Sequence, residues 1–162
     1  MNLQGTQVKP NFCFGVNGKI NNSLHIIDEK KLLYVAGHNL VVFSPDEEKT
    51  KQKFIAGSEF ADAINFITVS PSTKLIAICE RGLQGAQVTV WDTRHSSDGK
   101  YGKQRKIIPE PDQDNQRITA KEFLGCAFSP AAENNHLVTL SGEPDWEIIL
   151  WEWNQFKTLA RV

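Results

Sequence analysis

Along the whole chain, short apolar runs rich in β-branched and aromatic residues alternate with turns built from Gly, Pro, Asn, Asp and Ser. The clearest runs are Leu24–Ile27, Leu32–Val35, Leu40–Phe43, Phe54–Ile55, Phe66–Val69, Leu75–Ile78, Val88–Trp91, Ile107–Ile108, Phe123–Phe128, Leu137–Leu140 and Ile148–Trp151. No stretch longer than about ten residues carries an apolar stripe of helical period. The pattern predicts an all-β chain of many short strands, which leaves a sandwich, a barrel or a propeller.

An internal repeat separates these architectures. Phe66–Val69 runs into Ser70-Pro71, then come Leu75–Ile78 and Val88–Trp91, closed by Asp92. Leu124–Phe128 runs into Ser129-Pro130, then come Leu137–Leu140 and Ile148–Trp151, closed by Glu152. The Ser-Pro pairs lie 59 residues apart and the tryptophans 60. A weaker copy precedes them, in which Leu24–Ile27, Leu32–Val35 and Leu40–Phe43 are followed by Ser44. Each copy predicts three strands and then a basic or polar fourth, at Gln52–Ile55, Gln104–Ile108 and Phe156–Ala160. Four antiparallel strands that restart three times are propeller blades, whereas a sandwich would not repeat its motif.

The motif has a physical logic. Serine can hydrogen-bond the turn backbone, and proline ends the ladder after the innermost strand. The second strand is almost wholly apolar because neighbouring blades cover both its faces. The aromatic residue closing the third strand can fill the gap between blades. The expected blades span about 20–56, 62–109 and 121–162, with Asn11–Val16 as a solitary strand able to close the last blade of a ring. Two polar loops, Thr93–Gln104 and Pro109–Gln116, lengthen the second copy. Propellers close with four to eight blades, so about three blades make an open arc with exposed strand edges. The expectation is that residues 1–162 form the amino-terminal part of a longer propeller, or that another subunit supplies the remaining blades.

Charge removes some classes of function. With 18 basic and 19 acidic residues the net charge is −1, without the broad positive field that nucleic acid or an anionic membrane attracts. No apolar run approaches a membrane span, and the polar start lacks a signal core, so the cytoplasm is the default compartment. Cys13, Cys79 and Cys126 are far apart in sequence, with apolar neighbours, and are expected to be buried core residues.

The order of several short motifs carries a family resemblance. Val35-Ala36-Gly37-His38-Asn39 comes first, then Glu80-Arg81-Gly82, then Lys121-Glu122-Phe123 leading to Cys126-Ala127-Phe128-Ser129-Pro130. Gly142-Glu143-Pro144-Asp145-Trp146 and Leu150-Trp151-Glu152-Trp153 complete the series. From about residue 20 to the end, the chain resembles the amino terminus of the WD-repeat cilia- and flagella-associated proteins. It looks most like their large type with tandem WD40 propellers followed by a long coiled coil. The resemblance implies a structural part of the motile-cilium axoneme, within the cytoskeleton, that helps position or regulate inner-arm dyneins. Its partners would then be inner-arm or doublet-associated proteins. Only Trp91-Asp92 is a literal Trp-Asp pair, and Gly37-His38 falls in a turn rather than before a first strand.

Candidate chemistry is sparse. His25, His38, His95 and His136 lie in separate repeats with no metal-ligand spacing, and loop or turn positions are expected for them. No phosphate-binding or nucleophile motif occurs, so neither catalysis nor a cofactor is expected. Asp145 is expected to bind backbone in its own turn, with Trp146 packing beside it. Arg94, Lys100, Lys103, Arg105 and Lys106 gather near one loop, followed by Glu110, Asp112 and Asp114; Lys49, Lys51 and Lys53 hold a similar place in the first blade. This is a self-compensating solvated loop or a patch for an acidic protein surface such as a tubulin tail. The preferred reading is a non-catalytic scaffold; a trafficking or microtubule-associated WD40 adaptor is the alternative, and a propeller hydrolase fits less well.

Overall fold

The structure, a computed structural model, describes residues 11–45, 51–59, 61–82, 85–94, 102–109, 118–130 and 135–162. Twelve strands are described: β1 (Leu24–Asp28), β2 (Lys31–Ala36), β3 (Asn39–Ser44), β4 (Lys51–Ala56), β5 (Ala61–Val69), β6 (Leu75–Gly82), β7 (Gln87–Asp92), β8 (Lys103–Ile108), β9 (Phe123–Phe128), β10 (His136–Ser141), β11 (Ile148–Glu152) and β12 (Lys157–Arg161). They form three four-stranded antiparallel sheets in sequential order, β1–β4, β5–β8 and β9–β12. These are three blades, as the repeat predicts.

Strand pairing puts the repeats in strict correspondence. Ile76 pairs with Trp91 in the second blade, Leu137 with Trp151 in the third and Leu32 with Phe43 in the first. The Ser-Pro corners coincide as well: the N–H of Ser70 donates to the Leu75 carbonyl, and that of Ser129 to the His136 carbonyl, each at 2.9 Å. Ser70 is buried, and its Oγ accepts the Leu75 N–H at 3.1 Å, so the serine closes the turn that its proline opens.

Two apolar seams hold the blades together. In the first, Leu33, Val35, Leu40, Val42 and Ile55 of blade one meet Ile64, Ile67, Ile76 and Ile78 of blade two, with Trp91 packed against them. In the second, Ala77, Cys79, Val88, Val90 and Ile108 of blade two meet Cys126, Phe128, Leu137, Ile149 and Trp151 of blade three. Successive side chains of β6 point to opposite faces and so serve both seams. This is why the Leu75–Cys79 run has no polar alternation.

The tryptophans fill inter-blade gaps with different success. Trp151 is buried, and its Nε1 donates to Thr139 Oγ1 at 2.9 Å. Trp91 holds the same position, yet its buried Nε1 has no partner among the described residues. The cause is one residue: Ile78 stands in blade two where Thr139 stands in blade three. Thr139→Val is expected to cost about 1–2 kcal/mol, because it strands the Trp151 donor in the same way. Urea unfolding followed by circular dichroism measures this, and an unchanged midpoint would refute the role of the bond.

Several expectations are corrected. Residues 11–16 form no strand. The side chain of Gln52 takes both the N–H and the C=O of Cys13, at 2.6 and 3.0 Å, and Gly15 turns the backbone to φ 87°, so no ladder starts. Cys13 is half-buried in this otherwise exposed segment and not in the core; Cys79 and Cys126 are buried free thiols. His25 and His136 lie in strands rather than turns. His95, Lys49, Lys100, Glu110, Asp112 and Asp114 lie outside the described residues, as do the side chains of Lys51 and Lys106.

Candidate docking surfaces

The linkers entering the second and third blades are each gripped by a carboxylate of the blade they enter. Glu80, fully buried at the end of β6, accepts the Ser58 N–H at 2.7 Å and the Gln87 side-chain amide at 2.9 Å. Burial pushes its carboxyl above the usual range, while the bonds from Ser58, Gln87 and Thr89 and the nearby His38 pull it back. His38 Nε2 stands 3.8 Å from Glu80 Oε1, reaching across from the β2–β3 turn of the preceding blade. In the third blade Asp145 takes this part. It accepts the N–H groups of Thr119 and Ala120 at 2.7 and 2.8 Å, and the Thr119 hydroxyl as well. Desolvation opposes those bonds, but they hold the Asp145 carboxyl below its ordinary value.

Asp145 therefore clamps the incoming linker, not its own turn. Trp146 does not pack: it is exposed, because φ 52° and a bond from its N–H to the Gly142 carbonyl turn the ring away from the sheet. The earlier blade adds a second grip, since Gly57 N–H donates to the His38 carbonyl and Ala86 N–H to the Ala120 carbonyl. The sequence carries a weak sign of Glu80, a lone acid closing an apolar strand. The Asp145 contact spans 26 residues and depends on the fold.

The basic cluster is partly neutralised by an acid inside it. Arg94 forks onto Asp92 through Nε and a terminal nitrogen, at 2.9 and 2.6 Å, and Arg105 reaches the same carboxylate at 2.7 Å. The hydrogen bonds from Arg94 above all hold the buried Asp92 carboxyl far below the usual range. Of the five expected residues, Lys103 is exposed, and Arg94 and Arg105 are already engaged. Pro71 and Pro130 sit exposed at their corners. Among the described residues no group of three His, Cys, Asp or Glu side chains is placed to hold a metal ion, and no helix is long and apolar enough to cross a membrane.

The architecture is that of a partial β-propeller with about three blades. A solved structure of the same fold is the periplasmic gluconolactonase of Pseudomonas aeruginosa, with a TM-score of 0.54 and 15% identity over 82% of this chain and 36% of that one. In sequence, the chain is similar to cilia- and flagella-associated protein 57 of Mus musculus, 26% identical over 149 residues and 92% of the chain. It is equally similar to cilia- and flagella-associated protein 57 C of Tetrahymena thermophila, 26% identical over 145 residues. The chain spans 11% and 10% of those two relatives. No family profile matches it.

Proposed function

We propose that this chain is a non-catalytic docking part of the motile-cilium axoneme, helping to position or regulate inner-arm dyneins. The observation that carries the reading is similarity to ciliary proteins of a mammal and a ciliate through nearly the whole chain, 92% and 89% of it. Two of the three innermost strands carry little titratable chemistry, which favours the non-catalytic side of the reading. The innermost strand of the third blade, Phe123–Phe128, carries no acid or base beyond the buried Cys126 thiol. The acid on β5, Asp62, is paired with Arg81 at 3.1 Å. The likeness to a gluconolactonase extends to the fold, and catalysis needs a placed constellation that a fold does not supply.

Fluorescent tagging of the protein in ciliated cells tests this. Signal along the axoneme that survives detergent extraction is the expected result. Signal confined to vesicles or nuclei would favour an adaptor role elsewhere and overturn the proposal.

A further inference from the structure

We propose that Cys79 and Cys126 form an oxidisable dithiol, a modification site at which a peroxide closes a disulfide across the second seam. The repeat places the two sulfurs together. Cys79 on β6 corresponds to Val35 on β2, and Cys126 on β9 corresponds to Ile67 on β5, by the same register that matches Trp91 with Phe43 and the Ser70 corner with that of Ser129. Val35 and Ile67 share the first seam, and the two cysteines share the second. Where one seam holds two aliphatic side chains, the other holds two thiols, and these thiols hydrogen-bond each other. They lie 47 residues apart in sequence and on different blades, so a bond between them would tie one sheet covalently to the next.

The surroundings divide the chemistry between the two sulfurs. Cys126 is 8% exposed and Cys79 0%, so a small neutral oxidant reaches Cys126 first. Burial above all, with the bond to Cys126 adding to it, pushes the Cys79 thiol well above the ordinary thiol range. Cys79 therefore stays protonated, and the pair stays reduced until Cys126 is attacked. The Cys126 sulfur, as thiolate, attacks one oxygen of hydrogen peroxide. The O–O bond breaks, and the hydroxide released takes up the thiol proton as water, leaving a sulfenic acid. The Cys79 sulfur then attacks the Cys126 sulfur. The S–O bond breaks, the Cys79 proton leaves with the departing hydroxide as a second water, and the S–S bond forms. The two thiols give up two electrons in all, and the peroxide takes them. Cys13 is outside this chemistry, because the Gln52 amide holds its backbone against blade one. The inference rests on the seam and not on the ciliary reading.

Peptide mapping after mild hydrogen peroxide treatment of the folded 162-residue chain tests this, with Cys13→Ser removing the third thiol. The expected product is an intact chain lighter by about 2 Da, with a single link between Cys79 and Cys126. Because the link closes a 47-residue loop, the thermal midpoint should rise by about 5–10 °C and return on reduction with dithiothreitol. Cys79→Val, which carries over the residue of the first seam, should fold and lose both the link and the shift, as should Cys126→Ala. The map of the Cys13→Ser chain decides the matter even if a core variant does not fold. A sulfinic or sulfonic acid at Cys126 beside a free Cys79, a link that forms only in urea, a link that leaves the midpoint unmoved, or no change of mass in the folded chain would each overturn the proposal. Axonemal localisation bears on none of these outcomes.

Discussion

Trp151→Ala is expected to lower the stability of the chain by about 3–5 kcal/mol, the largest effect of any single truncation proposed for it. The indole is almost wholly buried in the seam between the second and third blades, among Phe128, Leu137 and Ile149 of its own blade and Ala77, Cys79 and Val90 of its neighbour. Alanine removes that apolar area, leaves a cavity that rigid sheets close poorly, and deprives Thr139 of its partner. Domain stabilities are only about 5–15 kcal/mol, so much of the variant should be unfolded near body temperature. Circular dichroism during a urea titration reads the loss directly. A shift worth less than about 1 kcal/mol would mean that the seam is not the main source of cohesion.

Glu80 carries the second large effect, and it has two parts. Glu80→Ala removes the acceptor shared by the Ser58 N–H, the Gln87 amide and Thr89, in a site without solvent. Stranding those donors is expected to cost about 3 kcal/mol. The wild-type chain should also show a distinct dependence on pH. Burial raises the folded carboxyl above the ordinary value of 4.5, so the folded state holds this proton more tightly than the unfolded chain does. The contribution of this group to stability therefore falls as pH rises from the ordinary glutamate value through the raised folded one, and is recovered on acidification. Glu80→Gln keeps an acceptor without the titration, so it should flatten the curve across that window. Equal slopes for wild type and Glu80→Gln, measured by urea titration at a series of pH values, would exclude Glu80 as the group responsible.

Much of the fold is legible in the sequence because propeller blades write the same physics repeatedly. The apolar run Leu75–Cys79 signals a strand covered on both faces, and the Ser70-Pro71 and Ser129-Pro130 corners appear in the structure at matched positions. Local chemistry of this kind depends on neighbours in sequence. The contacts that lock blade to blade do not. Asp145 finds Thr119 and Ala120 only once the third blade has folded against its incoming linker, and nothing near Asp145 in the sequence names them. The basic cluster is misleading for a related reason. Arg94 is two residues from Asp92 and Arg105 lies on the adjoining strand, so one buried carboxylate draws both, and the charge count overstates the free cations. Residues 11–16 form no strand because the Gln52 amide holds the Cys13 backbone and Gly15 turns it to φ 87°, neither of which the alternation of apolar residues reveals.

The outermost strands share a trait that bears on how the molecule meets its own kind. Lys51 and Lys53 on β4, Lys103 and Lys106 on β8, and Lys157 on β12 put lysine in each rim strand, while Arg105 and Arg161 there are paired to Asp92 and Glu147. An unprotected rim would invite edge-to-edge pairing and fibre growth, and like charge along it discourages that contact. At cellular crowding, lysine on the circumference thus works against one molecule's outer strand zipping onto another's.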